Sequence, residues 1–286
     1  MRRILITGAE SYIGTTFEKY IKSNYPNKYY SNTIDMIDGG WKDMSFEGYD
    51  VVFHVAGIAH SDIGKASNEI REKYYAVNRD LTIETAEKAK KAGVKQFIFM
   101  SSIIVFGSKN ECITIDTVPN PDNFYGDSKL QADIGIQKLQ DEDFNVVSIR
   151  PPMIYGKGSK GNYPKLSSMV KKIPFFPDYD NKRSMLYVEN LCEFICWVIE
   201  NDEKGYFYPQ NDEYVKTSEL VKNIAKVNGK KIYMFRWLNP FISKLKRIRL
   251  INKIFGDMYY DKNMSLLCEN YCVSDFDNSI ERTEEK

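Results

Sequence analysis

A tyrosine and a lysine stand four residues apart in the segment YGDSK (residues 125–129). On a helix this spacing places both side chains on one face, where the lysine ammonium lies close to the phenol. A phenol with a pKa of about 10 is a poor base at neutral pH, and an adjacent cation stabilises its phenolate. The pair therefore predicts an acid/base tyrosine, Tyr125, with Lys129 as its activator.

A pair of serines, Ser101 and Ser102, follows the apolar run FIFM (97–100). Open α/β sheets bind their ligands at the carboxyl ends of the strands. A hydroxyl at this position can bind the substrate oxygen whose proton Tyr125 removes. Taken alone, Ser102 would be explained by capping of the local backbone, but its combination with the tyrosine and lysine favours a catalytic role.

A glycine turn, TGAESYIG (7–14), follows the first apolar strand and precedes a helix. Gly8 permits a tight turn and Gly14 permits close packing of helix on strand, while the helix N-terminus offers N–H groups to a pyrophosphate. Ser11 replaces the middle glycine of the usual fingerprint. Its Cβ is expected to crowd the phosphates, and its hydroxyl can donate a hydrogen bond. An ordinary strand–helix turn is the alternative.

An acidic residue at the end of the second strand normally binds the adenosine ribose hydroxyls. Asp35 is the candidate, with Asp38 as its rival. No arginine occurs between Arg3 and Arg71, and Lys42 is the nearest cation downstream. Because a 2′-phosphate would find little to bind, the sequence favours NAD as the cofactor, with NADP left open.

Strand and helix patterns alternate through the first half of the chain. This alternation predicts an α/β fold with a Rossmann-type doubly wound parallel sheet. The expected strands are 3–6, 51–56, 94–101 and 146–150, and the expected helices are 14–24, 82–92 and 128–140. Shorter, more aromatic elements follow residue 150. We therefore place an NAD(P)-binding domain at 1–150 and a smaller C-terminal α/β substrate lobe at 151–286, ending in a polar, fraying tail at 279–286.

The charge of the chain is balanced, with 40 Lys and Arg against 39 Asp and Glu. No global field selects nucleic acid or an acidic membrane, so we expect a small-molecule partner and no nucleic acid. The N-terminus lacks the apolar stretch of a signal peptide, and no apolar run approaches the roughly 18 residues of a spanning helix. The expected location is cytoplasmic, and a homodimer is left open.

Five cysteines are expected to be reduced in that compartment. Two pairs, Cys192/Cys196 and Cys268/Cys272, have a spacing that would place each pair on one helical face. A zinc site would need more ligands than the two histidines, His54 and His60, which lie far upstream. We expect buried thiols and no metal site.

Eight segments in order extend a common pattern over most of the chain: TGAESYIG (7–14), DVVFHVAG (50–57), YAVN (75–78), FIFMSSIIVFG (97–107), YGDSK (125–129), RPPMIYG (150–156), GNYPKL (161–166) and RSMLYVENL (183–191). Together they resemble the extended short-chain dehydrogenase/reductases, and within them the NAD-dependent sugar-nucleotide epimerase/dehydratase family, in the manner of its UDP-glucose 4-epimerases.

The resemblance implies roles for individual residues. The catalytic residues would be Ser102, Tyr125 and Lys129. The cofactor site would comprise Gly8, Ser11, Tyr12, Ile13, Gly14, Asp35, Ala56, Asn78, Tyr125 and Lys129. The sugar-nucleotide site would comprise Ser102, Asn162, Arg183 and Phe176, with the arginine suited to fork-like recognition of a diphosphate. For Phe176 and its neighbour Phe175, nucleobase packing and a plain core position are both open.

Two departures from the family pattern bear on the reaction. Ile103 and Ile104 replace the Asp-Glu pair of the dehydratases and cannot transfer a proton, so dehydration is not expected. Met153 replaces an asparagine with which many epimerases hold the nucleotide, which leaves the sugar nucleotide open.

The resemblance implies a 4-epimerase of a UDP-hexose or UDP-N-acetylhexosamine. The alternative is an NAD(P)H-dependent 4-ketoreductase of a nucleotide 4-keto-6-deoxy sugar. A non-catalytic NAD(P)-binding regulator is disfavoured because the catalytic residues are intact.

Apolar residues and cations alternate at near-helical spacing in the segment 237–255. The cations are Lys244, Lys246, Arg247, Arg249 and Lys253. We expect an amphipathic helix that covers the substrate lobe and leaves a solvated basic face. The alternative is a helix that lies on a membrane surface.

Overall fold

The computed structural model describes residues 1–59, 67–265 and 270–285. Its strands are β1 (Arg2–Thr7), β2 (Tyr29–Ile34), β3 (Val51–His54), β4 (Gln96–Met100), β5 (Cys112–Ile113), β6 (Asn145–Ile149), β7 (Met153–Tyr155), β8 (Phe175–Pro177), β9 (Met185–Tyr187), β10 (Gly205–Phe207), β11 (Tyr233–Phe235) and β12 (Tyr259–Tyr260). Its α-helices are α1 (Tyr12–Asn24), α2 (Asn68–Tyr75), α3 (Leu81–Lys91), α4 (Phe124–Gln137), α5 (Asn162–Val170), α6 (Val188–Glu200), α7 (Thr217–Val227), α8 (Asn239–Leu245), α9 (Arg249–Phe255) and α10 (Phe276–Glu284).

A six-stranded sheet in the order β10-β6-β4-β3-β1-β2 forms the centre of the molecule. Every pairing in it is parallel. The strand order reverses at β1, which lies between β2 and β3. In open α/β sheets, ligands bind at this reversal, beyond the carboxyl ends of the strands. The predicted glycine turn leaves β1 at this point.

The sheet is buried on both faces because alternate residues of each strand point in opposite directions. Ile4 and Ile6 of β1 enter the core that α1 and α6 cover, and Leu5 enters the core that α3 and α4 cover. The predicted doubly wound α/β fold is confirmed.

The predicted boundary at residue 150 needs correction. After β9, helix α6 buries Leu191 and Ile195 against the main sheet, and β10 pairs with β6. The chain therefore returns to the six-stranded sheet after it has entered the smaller lobe. It does so because the apolar face of α6 packs against that sheet.

The smaller lobe combines short parallel strand pairs, β7 with β9 and β8 with β11, with α5, α7 and α10. Tyr155 and Tyr163 stack within it at 5.5 Å between ring centroids. The expected fraying tail is wrong for α10, since Ile280 is fully buried and the Ser279 hydroxyl lies 2.6 Å from the Tyr155 hydroxyl.

The expectation of one helix covering the lobe with the apolar face of 237–255 is also wrong. The segment forms two short helices, α8 and α9, and only part of its apolar surface packs inward. Ile242 is buried, whereas Trp237, Phe241, Leu245, Ile248 and Leu250 are exposed.

Two of the cysteines behave as expected. Cys192 and Cys196 are buried thiols on α6, within the core that it forms with the sheet. Cys268 and His60 lie outside the described residues. Within the described ranges, no helix is long and apolar enough to cross a membrane.

Candidate active site

The glycine turn is built for close approach of backbone to backbone. Gly8 has a φ of 82°, and a Cβ there would lie 3.0 Å from the Ala56 Cα and N atoms. A Cβ at Gly14 would lie 2.6 Å from the Ser11 Oγ atom and 3.1 Å from the Ile6 Cγ2 atom. Both glycines therefore have the steric reason that the sequence predicted.

Ser11 acts as the N-cap of α1. Its Oγ atom accepts a hydrogen bond of 3.1 Å from the Gly14 N–H group, so the hydroxyl proton can still be donated to an anion. Among the described residues, the N–H groups of Tyr12 and Ile13 have no hydrogen-bond acceptor. These three donors at a helix N-terminus suit a pyrophosphate.

The side chains of Tyr12 and Ile13 serve packing. Ile13 packs against the core beneath α1. The Tyr12 ring packs with the smaller lobe, and its hydroxyl lies 2.7 Å from where a Cβ of Gly156 would be. Burial raises the pKa of this phenol. Tyr12 thus joins the glycine turn to the lobe that follows β7.

Asp35 lies directly after β2, exposed, with its Oδ1 atom accepting the Ile37 N–H group at 3.0 Å. Lys42 and Arg3 each contact another residue, and Arg3 lies at the opposite end of β1, in register with Tyr30 of β2. Lys42 forms an ion pair of 2.6 Å with Glu84. The Arg3 guanidinium stacks on Tyr49, 5.3 Å from the ring centroid.

Asn78 lies in a π-helical turn, Ala76–Asp80, between α2 and α3 and is fully buried. Its amide clamps the loop after β3: Oδ1 accepts the Ile58 N–H group at 2.8 Å, and Nδ2 donates to the Ile58 carbonyl at 3.1 Å. Nδ2 also lies 3.2 Å from the Ser128 hydroxyl oxygen of α4.

Gly57 lies close to the side chains of Asn78 and Lys129. A Cβ at Gly57 would lie 3.1 Å from the Asn78 Oδ1 atom and 3.1 Å from the Lys129 Nζ atom. A side chain at this position would have to displace one of these groups by a few tenths of an ångström. These contacts, with the glycine turn, form a cradle that fits a dinucleotide at the sheet's reversal point.

Lys129 lies on α4 with 6% of its surface exposed. Its Nζ atom donates to the Met100 carbonyl at 2.9 Å and sits 4.5 Å from the centroid of the Phe99 ring. Burial lowers the pKa of Lys129 to about 8, and the nearby Asp133 carboxylate opposes that change. The ammonium is therefore close to the pH range in which it can lose its proton.

Tyr125 reaches the strand end because Gly126 allows close packing. Asn123 caps α4 by accepting the Gly126 N–H group at 3.0 Å. A Cβ at Gly126 would lie 2.8 Å from the Ile104 carbonyl oxygen, in the turn that follows Ser102. Burial raises the pKa of the Tyr125 phenol to about 12, against the opposing effect of its hydrogen bond with Ser102.

A buried ion pair between Asp133 and Arg150 lies next to Lys129 on α4. Arg150 Nε donates to Asp133 Oδ2 at 3.0 Å, and the Ser101 hydroxyl donates to the same oxygen at 2.9 Å. Asp133 is one helical turn after Lys129 and is fully buried. This pair connects α4 to the ends of β4 and β6.

The candidate substrate ligands lie in the smaller lobe. Asn162 is the first residue of α5, as expected. Arg183 donates through Nη1 to the Lys253 carbonyl at 2.9 Å and the Gly256 carbonyl at 3.1 Å, at the C-terminal end of α9.

Phe176 does not present a surface for a nucleobase. It is buried and packs on Phe255 at 5.6 Å between centroids, because β8 points it into the core. The exposed ring is that of its neighbour, Phe175. For Phe176 the structure corrects the substrate role in favour of the core position.

Residues 4–208 match the profile of the NAD dependent epimerase/dehydratase family, which is more than half of the chain. The chain belongs to this family.

Similar proteins have related activities. A UDP-glucose 4-epimerase from Vibrio cholerae is 29% identical, and the match covers 91% of this chain and 87% of that protein. An N-acetyl-α-D-glucosaminyl-diphospho-ditrans,octacis-undecaprenol 4-epimerase from Escherichia coli O157:H7 is 27% identical over 80% of this chain and 73% of that protein. This family member is an NAD(P)-dependent sugar-nucleotide epimerase or reductase.

Solved structures share the fold. A dTDP-4-dehydrorhamnose reductase from Clostridium acetobutylicum has a TM-score of 0.75 at 18% identity, covering 98% of both chains. A UDP-glucuronic acid 4-epimerase from Bacillus cereus, in complex with NAD, has a TM-score of 0.75 at 17% identity, covering 99% of this chain and 95% of that one. At these identities the likeness shows the extended short-chain dehydrogenase/reductase fold.

Several residues around the candidate active site were not singled out in the sequence analysis. Gly57 and Ser128 lie inside the motifs DVVFHVAG and YGDSK, so their positions carried a signal. Asp133 carried a weaker one, its spacing of four residues from Lys129. Its contact with Arg150 depends on the tertiary packing of α4 against β6.

His54 is a structural residue. It is fully buried, with Nδ1 2.8 Å from the Thr7 hydroxyl and Nε2 3.1 Å from the Thr82 hydroxyl. Burial lowers the pKa of His54 to about 3, with the Lys129 ammonium acting in the same direction. A neutral, doubly hydrogen-bonded imidazole stabilises the sheet beneath the cofactor cradle.

Proposed function

We propose that this protein is an NAD-dependent 4-epimerase of a UDP-hexose or UDP-N-acetylhexosamine. The observation that carries the choice of cofactor and reaction is the environment of Asp35. Its carboxylate is exposed at the end of β2, while Lys42, the nearest cation downstream, forms an ion pair with Glu84. Such a site accepts a ribose with free hydroxyls and repels a 2′-phosphate.

Tyr125 and Ser102 act on the sugar C4 hydroxyl. Ser102 orients the hydroxyl, and the Tyr125 oxygen takes its proton and later returns one. Bound NAD supplies the acceptor and donor for the hydride of C4. Because burial raises the pKa of the phenol to about 12, proton removal at neutral pH would draw on the positive charge of Lys129 and of the bound cofactor to stabilise the phenolate.

Lys129 has two tasks. Its ammonium acts on Tyr125 from the same face of α4, and its position next to Gly57 and Asn78 lets it bind the nicotinamide ribose. The buried pair of Asp133 and Arg150 keeps α4 in place and favours the protonated lysine, since Asp133 raises the pKa of Lys129.

Asn162 and Arg183 are the proposed ligands of the substrate diphosphate. Arg183 uses only Nη1 in its hydrogen bonds with the α9 carbonyls, so the rest of its guanidinium can bind phosphate oxygens. Ile103 and Ile104 follow Ser102 in a 3₁₀ turn and offer no acid for dehydration.

A paired assay tests this reaction. Purified protein is given UDP-glucose, UDP-galactose and their N-acetyl forms with catalytic NAD, and separately a UDP-4-keto-6-deoxy sugar with NADPH. We expect interconversion in the first arm. The second arm tests the 4-ketoreductase: activity confined to it, with stoichiometric NADPH consumption, would overturn the epimerase. N-acetylglucosaminyl diphospho-undecaprenol belongs in the first arm as well, given the E. coli relative.

The cofactor assignment has its own test. Titration calorimetry of the wild type should show tighter binding of NAD than of NADP. Asp35→Ala should weaken NAD binding by roughly tenfold or more, since a lost hydrogen bond to a charged group costs about 1.5–3 kcal/mol. Asp38→Ala is the matched control and should change NAD binding little. The opposite ranking of the two variants would transfer the ribose role to Asp38.

A further inference from the structure

Helix α8 and the turn before it leave three large apolar side chains exposed to solvent. Trp237, Phe241 and Leu245 are spaced by four residues, so they follow one face of the helix and the turn before it. Trp237 is 71% exposed and Phe241 is 61% exposed. Ile248 and Leu250, which continue the segment, are 50% and 68% exposed. We call these five residues the apolar face.

The orientation of this face is set by contacts on the other side of α8. Ile242 is buried, and the Ser243 hydroxyl lies 3.1 Å from the Tyr179 hydroxyl. Lys246 donates to Asp257 Oδ2 at 3.1 Å and lies over the Tyr179 ring. Ile242, Ser243 and Lys246 therefore anchor α8, and its larger apolar side chains Phe241 and Leu245 stay exposed.

The segment that carries the apolar face is rich in cations. Residues 220–256 contain ten Lys and Arg and no Asp or Glu, whereas the whole chain has a net charge of +1. Lys244 and Arg247 are exposed beside the apolar face, and within the described part of the chain neither pairs with a carboxylate. Arg236 is paired, with Asp178 at 2.7 Å. Positive charge is thus concentrated in the segment that carries the apolar face.

We propose that the apolar face and its flanking cations dock this protein onto an anionic lipid surface. Exposed Trp, Phe, Leu and Ile side chains beside Lys and Arg are the pattern of interfacial helices, which insert the apolar residues and pair the cations with lipid headgroups. Nucleic acid would use the cations but not five exposed apolar side chains. A second copy of this chain would bring two strongly positive segments together in a symmetric contact.

Docking there would orient the substrate lobe toward the bilayer. The C-terminal end of α9 binds Arg183 through the Lys253 and Gly256 carbonyls, and Asn181 Nδ2 donates to the Gly256 carbonyl at 3.2 Å. The docking surface is therefore continuous with the element that positions Arg183. It does not include the residues proposed for proton transfer, so docking and catalysis in solution are separable.

Vesicle co-sedimentation of the full chain tests the proposal. Vesicles of phosphatidylcholine alone are compared with vesicles containing a third phosphatidylglycerol, at low and high salt. We expect binding to the anionic vesicles that weakens in high salt, and little binding to the neutral ones. Equal partitioning to both, or to neither, overturns the proposal.

Two variants separate the contributions. Lys244→Glu/Arg247→Glu should lower the partition coefficient by at least about 25-fold, since each cation near an anionic surface contributes roughly fivefold. Trp237→Ser/Phe241→Ser should lower it at least about tenfold. The matched control is Ile115→Ser/Val118→Ser, which removes two exposed apolar side chains elsewhere, 73% and 77% exposed, and should bind as the wild type does.

A second set of measurements checks that the variants neither misfold nor self-associate. Thermal unfolding and light scattering of every variant should match the wild type, because the changed side chains are exposed. Equal loss of vesicle binding in the control variant overturns the proposal. So does a wild-type protein that fails to bind vesicles but forms a dimer that Trp237→Ser/Phe241→Ser dissociates, since the apolar face would then be a contact between copies.

Discussion

The carboxyl ends of the strands of the main sheet, which we call the sheet edge, differ from the smaller lobe in how they hold the candidate functional side chains. At the sheet edge, Asn78 makes three side-chain hydrogen bonds while fully buried, and Lys129 is fixed by the Met100 carbonyl and the Phe99 ring. In the lobe, Arg183 is held through one nitrogen only. Asn78 and Lys129 are thus held by buried contacts, whereas Arg183, the proposed diphosphate ligand, keeps guanidinium donors that these contacts do not use.

Burial changes the pKa of both groups proposed for proton transfer at the sheet edge. It brings the pKa of Lys129 down to about 8 and raises that of Tyr125 to about 12. Burial therefore moves the two pKa values apart, and the Tyr125 phenol needs a nearby positive charge to become a phenolate at neutral pH. Substitutions at the edge should therefore affect turnover, and substitutions in the lobe should affect substrate affinity.

The largest effect is expected from Tyr125→Phe. Removing the proton carrier should lower kcat by about 10²–10⁴-fold, the usual contribution of general acid–base catalysis. NAD affinity and thermal stability should stay close to those of the wild type. Tyr30→Phe, at an exposed tyrosine, is the control. Turnover within tenfold of the wild type would remove Tyr125 from the mechanism and weaken the contrast between edge and lobe.

The buried pair beneath the edge should dominate stability. Asp133→Asn or Arg150→Met leaves the other residue buried without its partner and should cost about 3–5 kcal/mol in the free energy of unfolding. The double variant should be less destabilised than the sum of the two single variants, which urea unfolding measures. Strict additivity would show that the two residues act independently.

Arg183→Ala tests the lobe. It should raise the KM for the sugar nucleotide by roughly ten- to a hundredfold, the cost of a lost hydrogen bond to a charged group. NAD affinity should not change, because Arg183 lies in the other lobe. Lys182→Ala, at the exposed neighbouring residue, is the control. Equal weakening of both ligands would contradict the separation of the two regions.

The pH dependence should show the smallest effect. Because burial lowers the pKa of Lys129 to about 8, its charge is complete below that pH and is lost above it. Wild-type kcat/KM should fall by up to about tenfold as the pH rises from 8 to 9, since the phenolate loses its stabilising cation. Lys129→Met has no such charge to lose, so its residual activity should rise with pH as Tyr125 ionises. Parallel profiles would contradict the role of Lys129.

The sequence predicted the edge better than the lobe for a physical reason. Long apolar strands and a glycine turn are local patterns, and they placed Gly8, Asp35 and Ser102 at the carboxyl end of one sheet. Local patterns did not show the pairing of β10 with β6 or the contact of Asp133 with Arg150, because both depend on tertiary packing.

In the lobe, residue spacing predicts a helix face but not the direction in which it points. Phe175 and Phe176 alternate on a short strand, and the sequence left open whether they pack a nucleobase or belong to the core. The segment 237–255 has the same spacing whether its apolar residues face the protein or the solvent. Ile280 shows the opposite error, since a polar C-terminus still contained a buried helix. The roles of Asn162 and Arg183 stay predictions.

The most direct test of the proposed 4-epimerisation uses UDP-glucose carrying deuterium at C4, with catalytic NAD in ordinary water. Removal of that hydrogen and its return to the other face of the same carbon predict UDP-galactose that retains the deuterium at C4, as measured by NMR and mass spectrometry. Exchange of the deuterium with solvent, or no conversion of this sugar or its N-acetyl form, would contradict the account.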